Sequence, residues 1–279
     1  MYRSALVTLA LVAGLQVTLP DPVSPDPKGA RPIEAIDSVF IEDMTWMEVR
    51  DAMKSGKDTV IIATGGIEQN GPYLAANKHN VVLRATTNAI ARKLGNALVA
   101  PIVGFVPEGD IEPPSLHMKY PSTVSLTEST YRALLRDICA CYRTHGFKQI
   151  VLLGDSGGNQ DGMKAIAEEL SAKWADGGCR VHFISEYYDY TEVKKWLEEQ
   201  GVVQKEEGLH DDFAITAIMM TVDPDSVRAK QRQAAGKFSI NGIPLAPIEK
   251  TVAWGKRIVD FRADRTVKVI RQRLDAASK

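Results

Sequence analysis

Blocks of apolar residues along the chain follow two different periods. Thr59 to Thr64 is a continuous apolar run with turn residues on both sides, as expected of a strand buried on both faces. Three later runs have the same character and predict further strands over 97–103, 150–153 and 180–184. Between the runs, apolar residues recur at spacings of three and four, the period of an amphipathic helix.

The helical segments carry their own start signals and buried faces. Ser125-Leu-Thr-Glu128 fits a capping box, and Asn80 is predicted to cap a helix that runs to Leu94. Further helices are predicted over 45–53, 213–220 and 251–276. The inward faces are predicted to contain Tyr131, Leu134, Leu135, Ile138 and Tyr142 in one helix, and Met163, Ile166, Ala167, Leu170 and Trp174 in the next. Asn241-Gly242 suits a type I′ turn and predicts a hairpin over 238–245.

Strands that alternate with helices predict an α/β fold, a three-layer α/β/α sandwich around a mostly parallel sheet. In such sheets the functional groups gather outside the carboxyl ends of the strands. Two loops of unusual composition, one after Thr64 and one after Leu153, stand at such ends. We therefore expect the functional site where these two loops meet.

The amino-terminal segment differs from the rest of the chain. Arg3 precedes an apolar run from Ala5 to Leu15, and a Pro-rich stretch follows. This pattern predicts a secretory signal peptide over about residues 1–20. Residues 21–40 are then an extended tether, and 41–279 form a single domain. A buried first helix or strand is the alternative. A signal peptide predicts a periplasmic or secreted protein.

The charge composition limits the kinds of molecule that the protein is expected to bind. The 34 Lys and Arg residues nearly balance the 35 Asp and Glu residues, which gives a net charge of -1. Nothing in this balance favours nucleic acid, and we expect no membrane association after processing. Cys139, Cys141 and Cys179 do not have the spacing of a zinc ligand set, and we expect them to be small buried residues.

The first loop contains two residues that can bind a metal. Glu68 follows a buried strand almost at once, where a carboxylate is costly unless it is paired or coordinates an ion. His79 lies beside a helix amino terminus, where the neutral imidazole that a metal requires is favoured. A solvated loop Glu and a capping-region His are the plainer alternative.

The second loop supports two interpretations. Asp155, Ser156 and Asn159 lie among glycines, whose backbone amides can approach a bound group closely. Gly154-Asp-Ser-Gly-Gly158 also matches the Gly-x-Ser-x-Gly nucleophile elbow, with a strand before it and a helix after it. A serine hydrolase that uses Ser156 and His210 therefore stays open.

Four further histidines are considered as possible residues of the functional site. His210 precedes Asp211 and Asp212, and a His held by a carboxylate is a standard proton carrier. Asp212 has an alternative role as a helix cap. His117 lies in a Pro-rich loop that can reach the site, whereas His145 and His182 are predicted to be structural.

Four motifs, in order over about residues 44–227, resemble the creatininase (creatinine amidohydrolase) family. The first, Gly66-x-Glu68-Gln-x-Gly71-Pro72-x-Leu74, is similar to the family's Gly-x-x-Glu-Gln-His-Gly-Pro-His-Leu. The others are His117-x-x-Tyr120-Pro-Ser-Thr123-x-Ser125-Leu126, the His145-Gly-Phe segment with Gly157-Gly158-Asn159, and His210 with Asp223-Pro224. The resemblance implies a creatininase-like fold, a metal-dependent amidohydrolase and a homo-oligomer, typically a hexamer.

The chain departs from the family at its metal ligands. Glu68 is kept, but Asn70 stands where the family has His, and His79 stands where it has Asp. Ser156 replaces a ligand His, and Ile215 stands in place of a later Glu. The two-metal site that the resemblance implies therefore cannot be carried over unchanged: either its ligands have been exchanged, or the metal has been lost altogether.

We expect one divalent ion, Zn or Mn with Fe as a third choice, bound by Glu68, His79 and Asp155. His210, steadied by Asp211, would pass a proton to the leaving nitrogen of a small amide, with Glu68 also catalytic. The expected substrate contacts are Asn70, Tyr73, His117, Ser156 and Asn159. A non-catalytic periplasmic binding protein on the same fold is the alternative from another class.

Overall fold

The computed structural model of the protein describes residues 25–277. The predicted signal peptide lies outside these residues and stays a prediction. From Ala35 onward the chain forms one compact unit. Within the described residues, no helix combines the length and the apolar character that a membrane span requires.

The strands and helices alternate as predicted. The strands of residues 25–277 are β1 (Thr59–Thr64), β2 (Ala97–Val99), β3 (Gln149–Gly154), β4 (Arg180–Phe183), β5 (Ser239–Ile240) and β6 (Ile243–Pro244). The α-helices of the same residues are α1 (Trp46–Lys54), α2 (Lys78–Leu94), α3 (Glu128–Thr144), α4 (Gln160–Lys173), α5 (Tyr190–Glu199), α6 (Phe213–Val222), α7 (Ala229–Ala234) and α8 (Ile248–Ala277).

The central sheet of the described chain has the order β2-β1-β3-β4, and its strands are all parallel. Val60 pairs with Leu98 on one side and with Ile150 on the other. Because β1 and β3 lie in the middle, their carboxyl ends are adjacent at one edge of the sheet. The loops that follow these two strands are therefore neighbours, as the sequence predicts.

Alternate residues of the central strands supply two separate cores. One face packs with α3 and α4, through Val60, Ile62, Ile150, Leu152, Tyr131, Leu135, Met163 and Ile166. The other face packs with α2 and α8, through Ile61, Ala63, Val151, Leu153, Leu83, Ile90, Ala263 and Val267. Burying one such Ile or Leu contributes about 1.5–3 kcal/mol. The predicted three-layer α/β/α architecture is confirmed.

Helix α6 is apolar on all sides and is accordingly buried, against α2 and α8. Asp212 caps it, because its carboxylate accepts a hydrogen bond from the Ile215 amide at 2.7 Å. The buried helix thus fixes the segment that contains His210 relative to the sheet. The Asn241-Gly242 hairpin is also confirmed, with both residues at positive φ as a type I′ turn requires.

Two predicted helix caps are wrong, because each polar side chain has a tertiary partner instead. Asn80 lies inside α2, and its side-chain oxygen accepts a hydrogen bond from the Gly66 amide at 3.3 Å. Helix α3 is capped by Thr127 rather than by Ser125. Ser125 donates to the Gly109 carbonyl at 2.6 Å and accepts from the Glu108 amide at 2.9 Å.

Three smaller predictions also fail. Leu134 is on the exposed side of α3, although the inward face of α4 is as predicted. Strand β2 ends at Val99 rather than at Val103, which makes only an isolated bridge to Thr64. Cys141 is exposed, whereas Cys139 and Cys179 are buried, because successive residues two apart on a helix face different directions.

Candidate functional site

A cavity of about 1360 Å³ opens beyond the carboxyl ends of β1 and β3. Its walls come from the loops after β1, β2 and β3 and from the segment before α6. The side chains with catalytic chemistry that line it are Glu68, Lys78, His79, Glu108, His117, Asp155, Ser156, His210 and Asp211. The edge of the parallel sheet has therefore gathered the polar groups, as the topology requires.

Glu68 is the centre of the cluster and is almost fully buried. Its Oε1 lies 2.8 Å from His79 Nε2, 2.9 Å from His210 Nε2 and 3.0 Å from Lys78 Nζ. Its Oε2 lies 3.2 Å from His117 Nε2. The structure thus places four residues around Glu68. His79, His117 and His210 are candidates from the sequence, and Lys78 is the neighbour of His79 in the chain.

The loop backbone fixes the position of this carboxylate. The Glu68 amide donates to the Ala76 carbonyl at 3.1 Å, which closes the loop after β1. The Asn70 side chain donates to the Glu68 carbonyl at 2.9 Å. A Cβ at Gly66 would meet the Glu108 carboxylate, so any larger residue there would displace the Glu108 side chain.

Asp155 lies on the opposite side of the His79 ring. Its Oδ2 is 3.0 Å from His79 Nδ1, and its Oδ1 accepts hydrogen bonds from the Tyr190 hydroxyl at 2.7 Å and Arg262 Nη2 at 3.0 Å. The Arg262 guanidinium lies over the rings of Tyr187 and Tyr190. Burial disfavours the charge on Asp155, but Arg262 and His79 hold the pKa of its carboxyl below the ordinary value.

The two nitrogens of one imidazole face different directions, so Glu68 and Asp155 approach His79 from different sides. His79 contacts both carboxylates, but the three residues are not among the groups of side chains whose ligand atoms lie within 4.8 Å of one another. Asp155 is therefore placed to orient His79, whose ring it holds through Nδ1. That Glu68 and His79 bind a metal ion stays a prediction.

Two groups of side chains in the described chain have the spacing of metal ligands. In each group, one ligand atom from every residue lies within 4.8 Å of the others. The outer donor group is Glu68, His117 and His210, and its histidines are partly exposed to the cavity. The inner donor group is Glu68, His79 and Glu108, and all three residues are buried. Both groups share the carboxylate of Glu68.

Glu108 is a site residue that the sequence interpretation missed. Its Oε2 accepts a hydrogen bond from the Ser156 hydroxyl at 3.0 Å, whereas its buried Oε1 has no hydrogen-bond partner among the described residues. Burial and the nearby charge of Glu68 raise the pKa of Glu108 to about 8. A signal for it existed, because Glu108 follows β2 and so lies at the same sheet edge.

The donor set fits a divalent metal ion. A buried carboxylate beside two imidazoles, with one ligand atom of each within 4.8 Å of the others, offers the donor types that Zn, Mn or Fe prefers. Burial raises the Glu68 pKa, but hydrogen bonds from His210 and His79 and the charge of Lys78 lower it well below its ordinary value, so Glu68 is ionised. Burial lowers the pKa of His117, which favours the neutral form that a metal requires.

His79 is held in a different state from His117. Burial disfavours its charged form, but hydrogen bonds to Asp155 and Glu68 raise the pKa of His79 above its ordinary value. An ion at the inner donor group would have to displace the proton between His79 and Glu68. The outer donor group makes no such demand through His117.

His210 and Asp211 do not form the predicted pair. His210 has a φ of 55°, an uncommon backbone conformation, and its ring is turned toward Glu68. The Asp211 carboxylate accepts from the Thr216 hydroxyl at 2.8 Å, and its other oxygen is buried without a hydrogen-bond partner in the described chain. Burial raises the pKa of Asp211 to about 7. Asp211 thus faces the cavity by itself.

Three predicted substrate contacts serve the scaffold. Asn70 donates to the Glu68 and Ala75 carbonyls, and Asn159 donates to the Thr64 and Gly65 carbonyls. The Tyr73 ring lies against the Arg232 guanidinium, 4.2 Å from its carbon. In the described structure none of these three lines the cavity, whereas His117 and Ser156 do. The side-chain Nδ2 groups of Asn70 and Asn159 hold the loops in place, whereas Asn70 Oδ1 is buried without a hydrogen-bond partner among the described residues.

Ser156 lacks the features of a nucleophile elbow. Its backbone is ordinary extended chain, with φ −114° and ψ 148°, whereas the elbow is a strained turn. Among the described residues, its hydroxyl is bonded to the Glu108 carboxylate and the Gly158 amide, and neither is a histidine. The geometry therefore does not give Ser156 the histidine base that the serine hydrolase alternative assigns to His210.

Lys78 and Arg262 were also missed. Lys78 is adjacent to His79 in sequence and is only 3% exposed, so it could have been inferred once the loop was assigned to the site. Arg262 lies in the middle of α8, where a charged residue usually faces solvent. Nothing in the sequence around Arg262 marks it as the partner of Asp155.

Known proteins resemble this chain in both sequence and fold. The creatininase family model, described as creatinine amidohydrolase, matches residues 42–270. A creatinine amidohydrolase of Pseudomonas putida is 26% identical over 202 residues, which are 68% of this chain and 74% of that protein. A 3-dehydro-scyllo-inosose hydrolase of Thermotoga maritima is 23% identical over 194 residues, 69% of this chain and 59% of that protein.

Solved structures of creatininase share the fold. One crystal structure superposes with a TM-score of 0.65 at 18% identity, covering 85% of this chain and 98% of that chain. Similar creatininase structures include a form named for Mn and a mutant named as a Zn-Zn type. The family model matches residues 42–270 of the chain, and the chain shares its fold with the solved creatininases. The chain therefore belongs to the creatininase family.

Proposed function

We propose that this protein is a metal-dependent hydrolase that cleaves a C–N bond of a small linear or cyclic amide. One observation carries the proposal: the ionised Glu68 carboxylate contacts three histidines at the mouth-facing edge of a 1360 Å³ cavity. A carboxylate with two cavity-facing histidines is a donor set suited to Zn, Mn or Fe. The name of the Pseudomonas relative, an amidohydrolase, supports the C–N class.

The outer donor group would hold the ion. Glu68 contributes a carboxylate oxygen, and His117 and His210 contribute ring nitrogens that face the cavity. Catalytic metal sites keep one coordination position open, and an exposed position toward the cavity meets that requirement. When bound, a divalent ion supplies Lewis-acid chemistry to the substrate. Solved creatininases named for Mn and Zn support a divalent metal without fixing its identity.

The chain's own residues supply positioning and proton exchange. Asp155 holds His79 through Nδ1, and His79 in turn holds Glu68 through Nε2, so the carboxylate keeps one orientation. Glu108 lines the cavity and has one carboxylate oxygen without a hydrogen-bond partner among the described residues. Glu108 is therefore the group best placed to exchange a proton with a substrate nitrogen. Asp211 offers a second such oxygen on the opposite wall.

The proposal is tested by removing and restoring the metal. Purified native protein would be assayed on a panel of small linear and cyclic amides, after chelation and after adding back Zn or Mn. We expect activity to disappear on chelation and to return with one of the metals. Full activity in metal-free protein, measured by elemental analysis of the assayed sample, would rule the proposal out.

We also propose that the chain is exported and assembles with itself. Arg3 with the apolar run after it supports export, and the homo-oligomer is what the resemblance to the creatininase family implies. Amino-terminal sequencing of protein from its native host should find the first ~15 residues missing. Light scattering at micromolar concentration should find more than a monomer.

A further inference from the structure

The Glu68 carboxylate is shared by the outer and inner donor groups, and a carboxylate with two oxygens can bridge two cations. The two oxygens are used differently. Oε1 contacts His79, His210 and the ammonium of Lys78, whereas the side-chain contact of Oε2 is His117, at 3.2 Å. One oxygen therefore already faces a fixed positive charge, and the other faces a neutral ring.

Lys78 occupies a position that is costly for a cation. It is 3% exposed, so its charge has lost most of its hydration. It is also the first residue of α2, and the amino terminus of a helix carries partial positive charge. The contact that offsets both costs is the ion pair with Glu68, where Nζ lies 3.0 Å from Oε1.

We infer that the ammonium of Lys78 takes the place of a second metal ion on Glu68, so that the site binds a single divalent ion in the outer donor group. In the inner donor group, His79 contacts the same Glu68 oxygen as the ammonium, so an ion bound between His79 and Glu68 would lie close to Nζ, and like charges at such a distance repel strongly. The outer donor group includes His117, which contacts the other oxygen, so an ion there can bind through Oε2. The inference rests on the proposed metal dependence.

The experiment counts metal ions in chains that differ only at lysines. Native protein, Lys78→Met, Lys78→Arg and Lys194→Met would be dialysed against Mn²⁺ and analysed for metal per chain. Lys194 is exposed at the mouth of the same cavity, so its variant removes an equal charge at a greater distance. We expect about one ion per chain in the native protein, Lys78→Arg and Lys194→Met, and about two in Lys78→Met, where the inner donor group is free to bind.

A second measurement uses the native protein alone, in case Lys78→Met does not fold. The Mn²⁺-loaded native protein should give the electron paramagnetic resonance spectrum of an isolated ion. A spin-coupled spectrum with two ions per native chain would overturn the inference and leave the proposed metal dependence intact. The same ion count in native protein and in folded Lys78→Met would also overturn it. No bound metal in the native protein would instead overturn the proposed function itself.

Discussion

Glu68 and Asp155 are two buried carboxylates that follow adjacent central strands, yet they have different tasks. Glu68 faces the cavity, where it contacts three histidines and a lysine. Asp155 contacts the far side of His79 and the guanidinium of Arg262. Both carboxylates lie beyond the carboxyl end of a central strand. Their tasks differ because Arg262 of α8 binds Asp155 and not Glu68. Glu68 also has a buried cationic partner, Lys78, but it keeps contacts with two histidines that line the cavity, whereas Asp155 does not.

The largest expected effect is on activity, from Glu68→Gln. The amide keeps the shape of the side chain but loses the charge that a divalent ion needs, so we expect kcat/KM to fall roughly 1,000-fold or more. Metal content should fall with it, while the circular dichroism spectrum stays the same. Glu169→Gln, at an exposed pair with Arg136, is the control and should keep native activity. Native metal content in Glu68→Gln would contradict the role assigned to this carboxylate.

Asp155→Asn tests the other half of the comparison through stability. Arg262 is 3% exposed and would be left as a buried charge without its partner. Breaking a buried ion pair in this way costs about 3–5 kcal/mol of unfolding free energy. Urea denaturation should show this loss, whereas Glu169→Gln should cost at most about 1 kcal/mol. If both variants lost the same stability, Asp155 would not have the structural role that we assign to it.

Ser156→Ala separates a supporting hydroxyl from a nucleophile. Ser156 donates one hydrogen bond to Glu108, and losing such a bond costs about 0.5–1.5 kcal/mol. We therefore expect activity to fall no more than about tenfold, with the metal content unchanged. Complete loss of activity, together with labelling of the native protein by a serine-directed phosphonate, would favour the serine hydrolase instead.

His182 is a histidine inside the sheet that contacts neither Glu68 nor Asp155, and it can be compared with the histidines that do. Its Nε2 is 2.8 Å from Gln149 Oε1, and burial, with Arg273 and Arg180 nearby, lowers its pKa from 6.5 to about 4. Between these values the unfolded chain binds the extra proton and the folded chain does not, so the contribution of His182 to stability falls as pH drops from 6.5 to about 4. Glu108 and Asp211, whose pKa values are raised to about 8 and about 7, act in the opposite direction over this range, so the comparison is made between native protein and a His182 variant.

We expect this contribution to be about 1–2 kcal/mol after allowing for the partial exposure of His182. Urea denaturation at several pH values should show a shallower loss for His182→Gln than for the native protein. Parallel pH profiles of the two proteins would show that another group causes the loss. The carboxyl of Asp155 does not interfere, because its lowered pKa places its own loss below pH 3.8.

Sequence pattern was enough to locate the site. The apolar runs identified β1 and β3 as buried parallel strands, and the rule for parallel sheets placed Glu68, His79 and Asp155 at one edge. The same rule applied to the loop after β2 would have included Glu108. These predictions succeed because the apolar pattern of a strand, and the helices that connect parallel strands, can be recognised from local sequence in a single chain.

The sequence could not say which way each polar side chain faces. Asn70 and Asn159 have the composition of substrate contacts, but loop carbonyls take their amides. Asp155 is claimed by Arg262, which is 107 residues away along the chain. His210 faces Glu68, 142 residues away, rather than its neighbour Asp211.

The amino-acid sequence by itself therefore determined the layers of the fold, the sheet edge and the residue types gathered there. The tertiary structure decided which of the two buried carboxylates is free to act, and it placed Lys78 and Glu108 beside Glu68. The physical reason is that a buried charge must find a partner, and the partners here come from segments distant in sequence. Their meeting depends on how α8 and the loop after β2 pack, which no local pattern specifies.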